Sequence, residues 1–260
     1  MYTTGKEEKM AKLFEKFKKT VYAAVGPRSF VSAVILAGGS GTRVGAGQTK
    51  QMLVLDGNPL IVHTLLAFER SEYIDEIVVV AKEEEIAVYD AFREKYGITK
   101  LTKVVAGGKT RQQSAKNGFD AIDEQAAYVA IHDGARALIT PAQIKDVVMT
   151  AFAHGAAIAA CPATDTVKYA ENNYIEETVP REHIWLAGTP QVFRDEVYRA
   201  AAYVAVEENF EGTDDASLVE NIGIRVHLVD VGPDNFKITF KNDLLRAEQL
   251  LQERKETPCE

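Results

Sequence analysis

Cysteine is nearly absent: of 260 residues, only Cys161 and Cys259 carry a thiol. Neither a disulfide framework nor a cysteine-based zinc site can be built from such a pair. Cys161 follows the apolar run 156–160 and is expected as a small buried hydrophobe, whereas Cys259 lies in a polar tail. The 5 histidines are scattered, which argues against a histidine metal cluster. No apolar run reaches the roughly 18 residues that a membrane span needs. The N-terminus mixes Lys with Glu and lacks the apolar core of a signal segment. A net charge of −8 gives no general basic surface, so nucleic acid is not an expected partner. No nucleophile elbow, internal repeat or low-complexity segment is present. These absences leave a cytoplasmic globular chain with no membrane association. A composition of 46% hydrophobic and 26% charged residues allows it a sizeable core.

Two parts are expected. In residues 1–28, Met10, Leu13, Phe14, Phe17 and Val21 recur at helical spacing before Gly26-Pro27, which reads as a helical extension. The interleaved Glu7, Glu8 and Glu15 argue against a membrane-surface helix and for a packing or capping one. Residues 29–260 then alternate between strand and helix signals. Strands are expected at 31–36, 76–81, 102–106, 128–131, 156–161 and 226–229. Helices are expected from Asn58-Pro59, across 83–96 with Gly97 as cap, and across 112–123. Others follow from Thr140-Pro141 to Gly155, near 196–206, after Thr213 and from Asn242. This order implies an α/β fold, Rossmann-like and doubly wound, on a mostly parallel sheet. The exception is 166–169 and 174–179, two strands joined by Glu171-Asn172-Asn173 without a helix, which read as a β-hairpin arm.

In such folds ligands bind where the strands end at their carboxyl side. After the first strand comes a glycine-rich loop from Ala37 to Lys50, containing Gly38, Gly39 and Arg43. Glycines let backbone N–H groups approach phosphate oxygens, and Arg43 and Lys50 supply the cations that an acidic chain must concentrate locally. The loop lacks the G-K-[ST] ending of a P-loop and does not fit the dinucleotide fingerprint, so an oxidoreductase reading is weak. After the third strand comes Gly107-Gly108-Lys109-Thr110-Arg111, with Ser114 one turn on. After the fourth comes His132-Asp133-Gly134-Ala135-Arg136. Asp133 is placed to hold Mg²⁺ or a ribose hydroxyl, Arg136 to hold an anion, and His132 reads as structural. Lys237 sits inside a short strand-like segment, 234–239, where an inward-pointing lysine would be a phosphate ligand.

Taken in order, these motifs resemble a known family. They are L-A-G-G-S-G-T-R at 36–43, T-K-Q at 49–51, G-G-x-x-R-x-x-S at 107–114, H-D-G-A-R at 132–136 and D-T-V-K at 165–168. They continue as T-V-P-R at 178–181, T-P-Q-V-F at 189–193, T-D-D-A-S at 213–217 and D-N-F-K-I-T at 234–239. The set is similar to that of the 2-C-methyl-D-erythritol 4-phosphate cytidylyltransferases over about residues 32–251. The resemblance implies transfer of a cytidylyl group from CTP to a polyol phosphate, with Mg²⁺ and release of pyrophosphate. It implies that Arg43, Lys50 and Lys237 are catalytic, stabilising charge on the triphosphate. Ala37, Gly38, Gly39, Gly108, Arg111, Ser114 and Asp133 would contact the nucleotide, with Asp133 also near the metal. Arg136, Thr166, Arg181, Thr189 and Thr213 would form or support the acceptor site. It further implies a homodimer joined through the arm at about 164–186, with Thr166 reaching the partner's active site.

The chain departs from the family pattern in places. Gly134 and Ala137 stand where Ala and Pro are usual, T-K-Q replaces P-K-Q, and T-V-P-R replaces T-V-D-R. No charged ligand is lost. A relative acting on another polyol phosphate, such as ribitol 5-phosphate, would share the loop and the H-D motif, so the pocket around Arg136, Thr166 and Arg181 decides the acceptor. A non-catalytic nucleotide-binding module is the reading from another class; Arg43, Lys50, Asp133 and Lys237 together argue against it.

Overall fold

The computed structural model describes residues 29–39 and 49–256. The expected N-terminal helix at 1–28, most of the glycine-rich loop with Arg43, and Cys259 lie outside the described residues.

A seven-stranded sheet forms the centre. Its strands are β1 (Val31–Leu36), β4 (Glu76–Ala81), β5 (Leu101–Ala106), β6 (Tyr128–Asp133), β7 (Ala156–Pro162), β10 (Trp185–Arg194) and β11 (His227–Asp230), in the order β11-β7-β10-β6-β1-β4-β5. Pairing is parallel except at β10, which runs antiparallel to both β6 and β7. Side-chain alternation sends the two faces of each strand into different cores. Val31, Ala33 and Ile35 of β1, with Ile77 and Val79 of β4, pack under α1 (Leu60–Arg70), α2 (Ile86–Tyr96) and α4 (Pro141–His154). Val34, Val78, Val80, Val129 and Ile131 pack under α3 (Arg111–Phe119), α5 (Asp195–Glu208) and α6 (Asp215–Asn221). Covering on both faces explains why β4 is a continuous apolar run. Each Val or Ile side chain among these, taken fully out of water, stabilises by about 1.5–3 kcal/mol.

Local signals set the ends of several helices. Gly97 and Gly155 adopt left-handed φ of 64° and 84° as C-caps. Thr140 and Gln143 form a capping box with Pro141 at the first helical position. The hairpin of β8 (Val167–Glu171) and β9 (Tyr174–Val179) is a separate two-stranded sheet, turned at Asn172 and Asn173, both with positive φ. Its Tyr169, Tyr174 and Ile175 are exposed. The last helix, α7 (Lys241–Glu256), closes a third core made with Leu55, Leu60, Ala135, Leu138 and Ile238. Among the described residues no helix is long and apolar enough to cross a membrane.

Four expectations are corrected. Asn58–Pro59 does not open the first helix. It is β3, paired with β2 (Val54–Leu55) around a turn at Asp56 and Gly57, and the helix starts at Leu60. Pro59 keeps an extended ψ of 138°, which continues the strand pairing rather than the helix. The helix expected at 112–123 ends at Phe119. Residues 234–239 form no strand; Ile238 N–H donates to Ala135 O at 2.9 Å, a loop contact that docks the segment on the turn after β6. Cys161 is half-buried rather than buried, because the apolar run has by then reached the open end of β7.

Candidate active site

The carboxyl ends of the parallel strands gather the charged residues. β6 extends two residues further than its apolar run suggests, so His132 and Asp133 are its last two residues. Asp133 accepts from Lys237 Nζ at 2.8 Å through Oδ2 and from Arg111 Nε at 3.4 Å through Oδ1. Burial pushes this carboxyl up. Lys237 and Arg111 beside it outweigh that effect and hold it well below the usual range. It is therefore a carboxylate at any pH near neutrality.

His132 builds the floor under this carboxylate. It is fully buried, tilted against the Phe68 ring at 4.9 Å. Arg136 O can only accept, so His132 Nε2 carries the proton and donates to it at 3.3 Å. Nδ1 is then an acceptor for the Thr189 hydroxyl, 3.0 Å away, and that same hydroxyl accepts from Asp133 N–H at 3.0 Å. Burial drops the imidazole to about pKa 3, which fixes this neutral arrangement. His132 is structural, and Thr189 supports the site through Asp133 rather than from its surface.

Thr189 lies in a bulge of β10 between Ala187 and Gln191. Gly188 in this bulge lies close to both strand and site: a Cβ there would stand 3.2 Å from Ala159 O and 3.5 Å from Arg136 Nη1. Arg136 donates through Nη1 to Asn235 O at 2.7 Å and through Nη2 to Ala187 O at 3.4 Å. Asn235 Nδ2 in turn donates to Thr189 O at 2.8 Å. Phe236 lies under the Arg246 guanidinium at 4.3 Å, which ties the Lys237 segment to α7. Gly134 accounts for one departure from the family pattern. A Cβ there would come within 2.6 Å of Ile61 Cδ1, so Ile61 occupies the space an alanine would fill.

The turn after β5 is internally bonded. Gly108 N–H donates to Ser114 Oγ at 3.0 Å and Lys109 N–H to Gln113 Oε1 at 2.9 Å. A Cβ on Gly108 would lie 2.4 Å from Gln113 Cβ, so the loop closes only over glycine. Arg111, the first residue of α3, points its Nη1 at Asp215 Oδ2, 2.8 Å away. Asp215 is fully buried at the start of α6 and also accepts from the Tyr198 hydroxyl at 2.9 Å. Sequence reading did not single out Asp215 or Tyr198. Asp215 falls within the T-D-D-A-S motif without a role of its own there, and only the packing of α5 on α6 brings it to Tyr198.

The remaining expected residues divide. Ala37 N–H bonds Val80 O at 2.7 Å, extending the sheet, while Gly38 and exposed Gly39 lead into the loop. Lys50 opens a short 3-10 turn whose buried Gln51 has its Nε2 3.8 Å from a Cβ built on Gly39. Thr213 is exposed. Thr166 and Arg181 are exposed on and beside the arm; Arg181 Nη1 donates to Thr164 O at 2.5 Å, and neither contacts Asp133, Arg111 or Lys237. Among the described residues no cluster of three His, Cys, Asp or Glu forms a metal site.

The model of the family described as 2-C-methyl-D-erythritol 4-phosphate cytidylyltransferase matches residues 31–253. A curated relative of that name from Geotalea uraniireducens is 46% identical, over 85% of this chain and 97% of its own. Another from Syntrophus aciditrophicus is 42% identical, over 85% and 96%. Among solved structures, a 4-diphosphocytidyl-2C-methyl-D-erythritol synthase from Anaerococcus prevotii superposes with a TM-score of 0.77 at 28% identity, covering 86% of this chain and 96% of that one. The chain belongs to the 2-C-methyl-D-erythritol 4-phosphate cytidylyltransferase family.

Proposed function

We infer that this enzyme transfers the cytidylyl group of CTP to 2-C-methyl-D-erythritol 4-phosphate and releases pyrophosphate, a step in isoprenoid precursor synthesis. The observation that carries the reading is Asp133 at the end of β6, flanked by Lys237 and Arg111, with Arg136 one turn away. The acceptor's phosphate oxygen is ionised near pH 7, so no general base is needed. It attacks the α-phosphorus in line; a new P–O bond forms, the α–β anhydride bond breaks, and pyrophosphate leaves with the electron pair. The chain's task is to align two anions and offset the charge between them. This task is assigned to Lys237, Lys50 and Arg43, the last outside the described residues. Arg136 is assigned to the acceptor phosphate, and Arg111 with Gly108, Ser114 and the Ala37–Gly39 turn to the nucleotide.

Mg²⁺ fits the donor set. It binds nucleotide enzymes through one or two carboxylates plus substrate phosphates. Asp133 supplies one carboxylate, whose Oδ1 is held among the described residues by the 3.4 Å contact to Arg111. When bound, the ion neutralises phosphate charge as a Lewis acid.

The enzyme is assigned as a homodimer joined through the hairpin arm, which carries Thr166 to the partner's acceptor site. Exposed Tyr174, Ile175 and Leu186 are the apolar surface that supports it. The compartment is the cytoplasm, where a CTP-consuming enzyme meets its nucleotide pool.

Pyrophosphate release should be measured with each nucleoside triphosphate, against both methylerythritol phosphate and ribitol 5-phosphate. CTP with methylerythritol phosphate is expected to be preferred. Turnover with ribitol 5-phosphate alone contradicts the acceptor, and turnover with another base contradicts the nucleotide.

A further inference from the structure

We propose that Asp215, fixed by Tyr198, is a positioning residue for the nucleotide site: it holds the Arg111 guanidinium beside Asp133 without letting it close onto that carboxylate. This rests on the assignment of Arg111 to CTP. Arg111 bridges two carboxylates unequally, at 2.8 Å to Asp215 and 3.4 Å to Asp133. The shorter contact is the more buried one, since the Asp215 side chain is 1% exposed and that of Asp133 is 12% exposed. Nη2 of Arg111 makes no hydrogen bond to the described residues, so its donors remain for a ligand.

The anchor is itself rigid. The Tyr198 hydroxyl donates to Asp215 Oδ1 at 2.9 Å, and its ring packs on Phe119 and Phe193. Burial keeps that phenol protonated, and therefore a donor. Gln191 pins the residues on either side, donating to Asp214 Oδ2 at 2.7 Å and accepting from Ala216 N–H at 2.8 Å. A buried ion pair adds little net stability, because desolvation offsets the attraction. What this one contributes is geometry. Without the Asp215 charge, Arg111 has one carboxylate left to pair with, Asp133, which Lys237 already holds. It would then close on Asp133, lose its stance toward the nucleotide and compete with Lys237.

The test is CTP affinity by calorimetry on the full chain, for wild type, D215N, Y198F, R111Q and R111Q/D215N, with KM for both substrates. D215N is expected to weaken CTP about tenfold and Y198F about threefold, both raising KM for CTP and leaving that for the acceptor. In the R111Q background D215N should add no further loss. Full additivity in the double variant overturns the proposal, as does a folded D215N with wild-type affinity. If D215N does not fold, Y198F decides: it keeps the ring, and an unchanged CTP affinity overturns the proposal. Wild type that fails to bind CTP sinks the nucleotide assignment and this inference with it. Wild-type binding with silent variants sinks the inference alone.

Discussion

Lys237 and Asp133 are 104 residues apart in the chain, and their side chains meet at 2.8 Å. The contact joins the end of β6 to an irregular segment that α7 holds in place. It puts a cation beside the one carboxylate at the site's centre, with 43% of the lysine side chain still open to a ligand. An anion arriving there meets a charge already in position, which lowers the reorganisation needed at the transition state.

Replacing that cation should be costly to chemistry. Lys237→Met is expected to lower kcat about 10²–10³-fold, the range for losing one preorganised charge stabiliser. Steady-state pyrophosphate release measures it, with a melting curve to show that the fold survives. A loss confined to KM for the acceptor would move Lys237 from the reacting phosphate to the acceptor pocket.

Arg136→Lys separates the two substrates. A lysine cannot reproduce the planar fork that now reaches Asn235 O and Ala187 O. KM for the acceptor should rise about tenfold, an effect of about 1.4 kcal/mol, while KM for CTP stays put. An equal rise in both would show that Arg136 acts through the loop it buttresses.

His132 gives a pH signature. Its folded pKa of about 3 lies below the ordinary value of 6.5. Between these values the unfolded chain binds the proton and the folded chain does not, so stability falls as pH drops through that window. The slope from this one group is at most about 1.4 kcal/mol per pH unit. Urea midpoints at pH 7.5 and pH 4.5 should converge for His132→Asn relative to wild type, even though the variant is less stable at both. An unchanged slope would mean that His132 does not stay neutral.

Gly108→Ala tests the turn after β5. The added methyl meets Gln113 Cβ at 2.4 Å and the Gln113 backbone carbon at 3.2 Å, so the helix start must shift. Overpacking of this kind costs about 1–3 kcal/mol. Affinity for CTP should fall with it, because Arg111 is carried on that first turn. Calorimetric titration with CTP reads the effect, and wild-type affinity would detach this turn from the nucleotide.

Much of the fold was legible because strand and helix periods differ and because caps such as Thr140-Pro141 and Gly155 are local. β10 was not. Its Trp185–Arg194 run contains Gly188, Thr189 and Pro190, and the bulge they make interrupts the alternation. Missing it concealed the antiparallel strand of the seven-stranded sheet, which holds Thr189 under Asp133. In the site, the strand-end rule located Asp133, Arg136 and Arg111 directly. Asp215 escaped because its role depends on burial beside Tyr198, and burial of a charge is not written in local sequence. Lys237 does reach Asp133, but the strand expected to carry it is a loop held by Ile238 and Arg246.

The most direct test of the central claim is ³¹P NMR of CTP and methylerythritol phosphate incubated with the enzyme and Mg²⁺. The account predicts that the acceptor monophosphate and CTP signals fall together, while a new diphosphate diester and pyrophosphate appear in equal amounts. CMP and pyrophosphate formed with the acceptor untouched would contradict it.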